Sequence, residues 1–188
     1  MDNHFLDQDF RGRVALVTGA SGGIGSAVVR RLAERGARVA AVDRTEADLA
    51  DQVRRLRAKD LDVTAYPADV ASSEAVTGTV DLVERELGPI DYLANVAGVL
   101  RPGLVLSTSE DDWNLTFAVN ARGVFNTSRA VAARMVARRS GAIVTVASNA
   151  SAVPRVGMAA YAASKAAATA FTKSLGLEVA RHGVRCNV

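Results

Sequence analysis

Six short apolar runs alternate along the chain with longer segments of helical periodicity, and this alternation restricts the possible folds more than any other feature. The runs are rich in Val, Ile and Ala at successive positions, which is typical of strands buried on both faces of a sheet. They are Val14–Thr18, Arg38–Asp43, Val63–Tyr66, Ile90–Asn95, Ala142–Ser148 and Val184–Val188. Strands that alternate with helices predict an α/β fold in which a doubly wound parallel sheet lies between two layers of helices.

The intervening segments predict five helices. They are a helix from about Ile24 that ends at Gly36, one through Leu49, Val53 and Leu56, one that begins near Ser72 or Ser73, and the segments Trp113–Arg139 and Met158–Arg181. Ser109 and Asp112 form a capping-box-like start before the fourth helix. No helix follows the last run, so we expect a single domain over residues 1–188 whose sheet is truncated after the start of its sixth strand.

Composition excludes several classes of protein. The apolar fraction of 49% is too high for a disordered chain, and a net charge of +3 is too small to favour a nucleic acid or a membrane surface as partner. A single cysteine, Cys186, allows no internal disulfide, and neither a signal peptide in Met1–Gly12 nor a membrane-spanning stretch is evident, so we predict a cytoplasmic protein. His4 and His182 are isolated, and we therefore predict no metal site.

A glycine-rich segment joins the first strand to the first helix. It reads Thr18-Gly19-Ala20-Ser21-Gly22-Gly23-Ile24-Gly25. Glycines let the backbone turn tightly and approach a pyrophosphate, which the free N–H groups and the dipole of the helix start then bind. The spacing of Gly19, Gly23 and Gly25 differs from G-x-G-x-x-G, but the strand-to-helix context predicts a nucleotide-binding, Rossmann-type fold.

Acidic residues follow the second and third strands. Asp43 can accept both hydroxyls of an adenosine ribose and would repel a 2′-phosphate, which favours NAD over NADP. Arg44 follows directly and could instead attract that phosphate, and Asp43 could simply cap the next helix. Asp69, followed by Val70, could bind the adenine amino group or serve only as a turn residue.

A tyrosine and a lysine lie one helical turn apart on the last helix. Tyr161 and Lys165 share a face, and an ammonium beside a phenol favours the phenolate and lowers the phenol pKa. Tyr161 is therefore a candidate general acid or base. Ser148 is predicted to end the fifth strand, at the carboxyl edge where sites of open α/β sheets lie. Trp113 is predicted to pack the start of its helix against the core, and Cys186 to be inert.

Together these motifs resemble the short-chain dehydrogenase/reductase family along the whole chain: the glycine segment, Asn95-Val96-Ala97-Gly98, Asn120, and Ser148 with Tyr161-x-x-x-Lys165. The resemblance implies that Tyr161 exchanges a proton with the substrate oxygen, Ser148 hydrogen-bonds that oxygen, and Lys165 holds the nicotinamide ribose and tunes Tyr161. Asn120 is expected to position a water for proton relay. The segment from Asn95 through Ala97 to Gly98 is expected to support the sheet and the cofactor, NAD.

A closer likeness, within the family, is to members that oxidise a dihydrodiol carboxylate to a catechol acid for siderophores or antibiotics. It rests chiefly on Arg101 and on Pro154-Arg155-Val156-Gly157-Met158, which flank the substrate pocket in that group. Arg101 or Arg155, of which we favour Arg155, is expected to pair with the substrate carboxylate, and Met158 to line the pocket. The resemblance also implies a homo-oligomer, a tetramer in complete relatives.

Two alternatives remain open at this stage. One is a ketoreductase of the same family, which normally prefers NADPH. The other is a non-catalytic nucleotide-binding fragment, because relatives continue beyond the equivalent of Val188 with a substrate lid, a last helix and a last strand.

Overall fold

A parallel sheet of six strands forms the centre of the structure, a computed structural model that describes residues 10–188. The strands lie in the order β3-β2-β1-β4-β5-β6. They are β1 Val14–Thr18, β2 Arg38–Asp43, β3 Val63–Pro67, β4 Ile90–Asn95, β5 Gly141–Thr145 and β6 Val184–Asn187. This order confirms the predicted doubly wound α/β fold of the Rossmann type.

Helices cover both faces of the sheet and make it the middle of three layers. They are α1 Gly23–Glu34, α2 Glu46–Arg57, α3 Ser73–Glu86, α4 Glu110–Phe117, α5 Gly123–Arg138 and α6 Ala159–Val179. Alternate residues of β1 enter different cores: Ala15 and Val17 pack with α1 and α2, whereas Val14 and Leu16 pack with α3, α5 and the end of α6. Successive side chains of a strand point to opposite faces, so a strand covered on both sides is apolar throughout.

Local capping signals mark the starts of α3 and α4 and the end of α1. The Ser72 side chain accepts the Ala75 N–H before α3, and the Ser109 side chain accepts the Asp112 N–H before α4. Gly36 follows α1 with a φ of +89°, as the predicted helix end requires. Because Ser109 is the cap, α4 begins at Glu110, earlier than the predicted Trp113.

The fifth strand is shorter at its carboxyl end than the sequence predicts. It ends at Thr145, after which the Val146 N–H makes one more bond to the Asn95 carbonyl. Ser148 therefore lies beyond the strand, where it precedes a 3₁₀ turn over Asn149–Ser151. The prediction that Ser148 ends the strand was wrong, because the apolar run continues into a loop.

The predicted helix Trp113–Arg139 is interrupted by a π segment, Ala118–Arg122, between α4 and α5. The N–H of Gly123 bonds to the Ala118 carbonyl five residues earlier, so the helix holds one extra residue there. A Cβ at Gly123 would lie 2.7 Å from Val70 Cγ2, so only glycine lets α5 approach this closely. Hydrophobic periodicity does not signal an insertion of this kind.

Trp113 does not anchor α4 in the core. Its side chain is 43% exposed and stacks on Phe117, with 4.6 Å between the ring centroids. The prediction of a core role was wrong because the face of α4 that carries Trp113 is open.

A buried group of polar side chains joins the sheet to the helices behind it. Asn95 Nδ2 donates to Ser128 Oγ (2.9 Å) and Thr145 Oγ1 (3.3 Å), and Asn95 Oδ1 accepts from Thr127 Oγ1 (2.6 Å). The hydroxyls of Thr145 and of Thr172 on α6 are hydrogen-bonded to each other at 2.9 Å. Asn95 thus connects β4, β5 and α5 at the carboxyl end of the central strands.

Two absences hold for the part of the chain that the structure describes. No helix within residues 10–188 is long and apolar enough to cross a membrane. Over the same residues, no group of three or more His, Cys, Asp or Glu side chains is arranged to hold a metal ion. His4 and most of the segment Met1–Gly12 lie outside the described residues.

Asn95→Ala should strip hydrogen-bond partners from three buried hydroxyls. We expect a loss of about 2–3 kcal/mol in the free energy of unfolding, since each of these buried hydroxyls loses one hydrogen bond. Urea unfolding followed by circular dichroism measures the change. Asn114→Ala, at an exposed position of α4, is the matched control and should change the free energy by less than about 0.5 kcal/mol. Equal effects of the two substitutions would contradict the role of Asn95.

Candidate active site

The glycine turn after β1 is built around two close approaches of the backbone. Gly19 has a φ of +66°, and a Cβ there would lie 2.6 Å from the Ala97 Cα. A Cβ at Gly25 would lie 1.9 Å from the Gly19 carbonyl oxygen. A Cβ at Gly23, by contrast, would meet no atom within 4 Å among the described residues. Gly19 and Gly25 are therefore required by close contacts within the protein, because a side chain at either position would collide with the backbone. Gly23 has no such contact and leaves open space in front of α1.

Thr18 joins this turn to the turn after β4. Its Oγ1 accepts the Val96 N–H at 3.1 Å and the Ala97 N–H at 3.2 Å. The Asn95–Gly98 segment is thereby held against the glycine turn. This link between the two turns was not predicted, because a strand-end threonine has no distinctive sequence signal.

A cavity of about 500 Å³ opens at the carboxyl edge of the sheet above these turns. Most of the predicted nucleotide-binding residues line it: Gly19, Gly22, Gly23, Ile24, Gly25, Asp43, Arg44, Asp69, Val70, Ala97 and Gly98. Arg101 and Val96, the latter within the predicted Asn95–Gly98 segment, also line it, together with residues that were not predicted: Thr45, Ala68, Val99, Leu115 and Val119. The other predicted nucleotide-binding residues, Ser21, Asn95, Tyr161 and Lys165, are outside its wall, as are the predicted substrate residues Ser148 and Met158. Ser21 acts through the backbone turn, and Asn95 acts through the buried polar group.

Asp43 is fixed at the cavity by two backbone donors. Its carboxylate accepts the Ser21 N–H at 2.9 Å and the Arg44 N–H at 2.7 Å. Helix α2 begins two residues after Arg44, with Thr45 at its cap position, so Asp43 does not cap that helix. Asp43 instead connects the end of β2 to the glycine turn, and it lines the cavity together with Arg44.

Asp69 serves as a turn residue at the border of the cavity, and its predicted contact with an adenine amino group stays a prediction. Its Oδ1 accepts the Ala71 N–H at 2.8 Å, as expected of a turn residue, and the residue also lines the cavity.

Lys165 is a buried cation beside Tyr161 in the first turns of α6. Only 4% of the lysine is exposed, and this burial lowers its pKa from the ordinary value of 10.5. Its Nζ donates to the Val146 carbonyl at 2.8 Å and lies 6.0 Å from the centroid of the Tyr161 ring. Within the described residues this carbonyl is its one hydrogen-bond acceptor, so the ammonium can donate two more hydrogen bonds to a ligand.

Ser148 lies on the loop that packs against α6. Its Oγ accepts the Ala150 N–H at 3.2 Å, and its carbonyl accepts the Ser151 hydroxyl at 2.5 Å. The 3₁₀ turn that follows contacts α6, and Lys165 holds Val146 two residues before Ser148. The structure thus brings Ser148 to the same side of the sheet edge as Tyr161 and Lys165.

Asn120 lies fully buried in the π segment. Its Oδ1 accepts the Val99 N–H at 2.8 Å, and its Nδ2 donates to the Val99 carbonyl at 2.9 Å and to Ser164 Oγ at 3.0 Å. A Cβ at Gly98 would lie 3.3 Å from both Asn120 Oδ1 and Lys165 Nζ, so these three residues meet at one point. The side-chain amide of Asn120 is fully engaged by protein groups.

The two arginines predicted at the substrate side differ in position. Arg101 lines the cavity, and its Nε lies 3.8 Å from Asp112 Oδ1. Arg155 is exposed and outside the cavity wall. Their loops are joined by one bond, from the Gly103 N–H to the Gly157 carbonyl at 2.9 Å, next to Met158.

A family model described as short chain dehydrogenase matches residues 13–188. The chain belongs to this family of oxidoreductases. It is 55% identical over 177 residues to the 2,3-dihydro-2,3-dihydroxybenzoate dehydrogenase of Bacillus subtilis strain 168, an alignment that covers 94% of this chain and 68% of that protein.

Two solved structures of relatives superpose closely. An NAD⁺-bound xylitol dehydrogenase has a TM-score of 0.92 and 39% identity, with 96% of this chain and 70% of that one covered. A gluconate 5-dehydrogenase from Burkholderia cenocepacia J2315, in complex with NADP and tartrate, has a TM-score of 0.91 and 38% identity, with 98% of this chain and 72% of that one covered. The neighbours therefore bind either nicotinamide dinucleotide.

The residues of this chain fit a nicotinamide dinucleotide on structural grounds. The space in front of Gly23 lies at the N-terminus of α1, where N–H groups and the helix dipole favour a diphosphate. Asp43 borders the cavity with a fixed carboxylate, and Lys165 has donors to spare. Gly22, Gly23 and Ile24 would hold the diphosphate, Asp43 the adenosine ribose, and Lys165 the ribose of the nicotinamide.

Gly23→Ala and Gly25→Ala should separate ligand binding from folding. A methyl at Gly25 collides with the Gly19 carbonyl, and we expect a loss of about 3 kcal/mol in unfolding free energy. A methyl at Gly23 meets open space in the protein, so stability should be retained while dinucleotide binding weakens by about tenfold. Calorimetric titration and urea unfolding measure the two effects, and unchanged affinity in Gly23→Ala would show that no ligand approaches that backbone.

Lys165→Met should stabilise the chain at neutral pH by about 1 kcal/mol, because it removes a buried charge with little loss of volume. The folded state lowers the Lys165 pKa, so the unfolded chain binds more protons between that lowered pKa and 10.5. The loss of wild-type stability caused by the buried Lys165 ammonium is therefore greatest at pH values below the pKa that Lys165 has in the folded state. This loss decreases as the pH rises toward 10.5.

Urea titrations at several pH values measure this difference, with Lys173→Met at an exposed position of the same helix as the control. A difference between Lys165→Met and wild type that stays constant with pH would contradict a contribution from the buried ammonium.

Proposed function

We propose that residues 1–188 form one NAD-binding domain that oxidises 2,3-dihydro-2,3-dihydroxybenzoate to 2,3-dihydroxybenzoate, a precursor of siderophores or antibiotics. The main support is the 55% identity to a dehydrogenase of that name across 94% of this chain. A cationic side chain, Arg101, in the wall of the cavity supports an anionic substrate. Within the short-chain dehydrogenase family, the proposal specifies both the substrate and the cofactor.

NAD is the proposed cofactor because of Asp43. Two backbone donors hold its carboxylate at the cavity, so the negative charge cannot turn away from a 2′-phosphate. Arg44 is exposed beside it and free to leave toward solvent. A fixed anion opposes the phosphate more effectively than a mobile cation attracts it, since the mobile side chain also loses rotamer freedom on binding.

Tyr161 is the proposed general base for the substrate hydroxyl. It is partly exposed at the start of α6, one helical turn before Lys165, whose ammonium lies 6.0 Å from the centroid of its ring. Ser148 is the proposed hydrogen-bond partner of the same substrate oxygen, and Lys165 is the proposed partner of the nicotinamide ribose, one helical turn from Tyr161. When bound, the dinucleotide supplies the hydride acceptor.

The substrate carboxylate requires a cation, because a carboxylate buried without a partner is costly. Arg101 and Arg155 were both candidates, and the position of Arg101 in the cavity wall favours it over Arg155, the reverse of the preference drawn from the sequence. The weak 3.8 Å pair with Asp112 leaves Arg101 available for a ligand. Met158 adjoins the bond that joins the two arginine loops.

A ketoreductase of the same family is the alternative enzyme. The direction of reaction separates the two, because the ketone formed from the dihydrodiol tautomerises to an aromatic catechol, whereas a simple ketoreductase has no such drive toward oxidation. Asp43 also disfavours the NADPH that ketoreductases normally use. A chain that binds NAD and turns over neither substrate would instead be a nucleotide-binding protein without catalytic activity.

A homo-oligomer is part of the proposal. Ala163, Ala167 and Ala170 are exposed along one side of α6, where small side chains allow a second helix to approach closely. Phe125 of α5 is 40% exposed beside them and contacts Phe171 edge to face. This surface of α5 and α6 suits a second copy of the chain.

Asp43→Ala should shift cofactor preference. We expect wild-type affinity for NAD to exceed that for NADP, and the ratio to fall by at least about tenfold in the variant, since one close like-charge repulsion is removed. Calorimetric titration with both dinucleotides measures the ratio, and Arg44→Ala is the matched control. Tighter binding of NADP by the wild type would show that Arg44 dominates and that NAD is not the cofactor.

The substrate is tested with the dihydrodiol acid and a neutral analogue that lacks the carboxylate. We expect kcat/KM for the acid to be higher, and Arg101→Ala to remove most of this preference while Arg155→Ala retains it. Tyr161→Phe should lower kcat by about 10²–10⁴-fold with dinucleotide binding intact. Equal kcat/KM for the acid and the analogue, or no activity on the acid, would overturn the proposed substrate.

A further inference from the structure

Ser164 lies on α6 between Tyr161 and Lys165, is fully buried and makes two hydrogen bonds of different kinds. Its hydroxyl donates to the Tyr161 carbonyl at 2.8 Å, within the helix. Its Oγ accepts from Asn120 Nδ2, in the π segment, at 3.0 Å. The roles given above to Tyr161, Lys165 and Asn120 leave Ser164 unassigned.

The direction of these bonds agrees with the orientation of the Asn120 amide that the two backbone groups of Val99 require. A serine hydroxyl has one proton, and here it is committed to the Tyr161 carbonyl, so toward Asn120 the oxygen can only accept. Asn120 must therefore present Nδ2 to Ser164. The second proton of Nδ2 then goes to the Val99 carbonyl, and Oδ1 accepts the Val99 N–H.

Through this chain of bonds, Ser164 sets the position of a segment on a different element. Val99 lines the cavity and precedes Arg101 by two residues, and Gly98 beside it meets Lys165. One side chain, Asn120, binds both backbone groups of Val99, and the hydrogen bond to Ser164 anchors that side chain to α6. In a buried network of this type, a polar group that loses its hydrogen bond destabilises the fold, so the geometry of the network is well defined.

A purely local role is the alternative, because serines and threonines inside helices often bond back to a carbonyl three or four residues earlier. Two other residues of α6 do so: Thr169 donates to the Lys165 carbonyl at 2.8 Å and Thr172 to the Ala168 carbonyl at 2.8 Å. Among the described residues Thr169 makes no hydrogen bond to another element. Ser164 differs from it by accepting the Asn120 amide.

We propose that Ser164 is a positioning residue that acts through Asn120 to hold the Val99–Arg101 segment against the catalytic turn of α6. Its effect on turnover rests on the proposed function, because that function assigns the substrate contact to Arg101 and proton transfer to Tyr161. Its effect on Val99 follows from the hydrogen bonds alone and is independent of any substrate.

The first experiment measures hydrogen exchange of the Val99 amide by NMR in the folded chain. Ser164→Ala should accelerate exchange by about tenfold, since a single hydrogen bond that supports Asn120 is lost. Thr169→Val removes a hydroxyl from the same helix and should leave Val99 unchanged. In an Asn120→Ala background, Ser164→Ala should have no further effect, because the path from Ser164 to Val99 passes through Asn120.

The second experiment measures turnover and dinucleotide affinity. Ser164→Ala should lower kcat by about tenfold and change the dinucleotide Kd by less than about twofold, because the diphosphate region lies on other elements. If Ser164→Ala does not fold, Ser164→Cys replaces it, and its weaker hydrogen bonds should give an intermediate acceleration of Val99 exchange.

Unchanged Val99 exchange in the serine variant, or equal acceleration in Thr169→Val, overturns the proposal. So does an additive effect in the Asn120→Ala background. A wild-type chain that fails to oxidise the dihydrodiol acid overturns the proposed function, and in that case the exchange measurements alone decide the role of Ser164.

Discussion

The contact between the turn after β1 and the turn after β4 holds together the cavity wall at the carboxyl edge of the sheet. Gly19 lies so close to Ala97 that no side chain fits between them, and Thr18 binds the N–H groups of Val96 and Ala97. β1 has β2 on one side and β4 on the other. Strands β2 and β3 are added on one side of β1, and strands β4 to β6 are added on the other side. A crevice opens where the connections diverge, and ligands of open α/β sheets bind in such crevices.

The sequence predicted the elements whose signals are local. Apolar runs gave the six strands, Ser72 and Ser109 marked helix starts, and the glycine segment located the cavity. The features that were missed depend on contacts between distant segments. The end of β5, the exposure of Trp113 and the inclusion of Leu115 and Val119 in the cavity wall are decided by what packs opposite them, and one sequence does not contain that information.

The site residues show the same division. Ser148, Tyr161 and Lys165 could be predicted as a set because their chemistry restricts their types and spacing. The sequence favoured Arg155 over Arg101, whereas Arg101 is the one that lines the cavity. Both follow strands at the same edge, and only the path of their loops separates them. Ser164 was not singled out, because a serine within a helix has no distinctive pattern until its partner on the π segment is known.

The π segment has a consequence for the phase of the helices on either side of it. One extra residue in a turn rotates everything that follows by about 100° relative to an uninterrupted α-helix. With that rotation, Val131 and Met135 of α5 face the sheet and Asn120 faces Val99. The extra residue is absorbed within the segment, so a deletion of one residue between 118 and 122 would restore regular helix and leave the apolar stripe of α5 facing the core. What the deletion would remove is the wide turn from which the Asn120 side chain reaches both backbone groups of Val99.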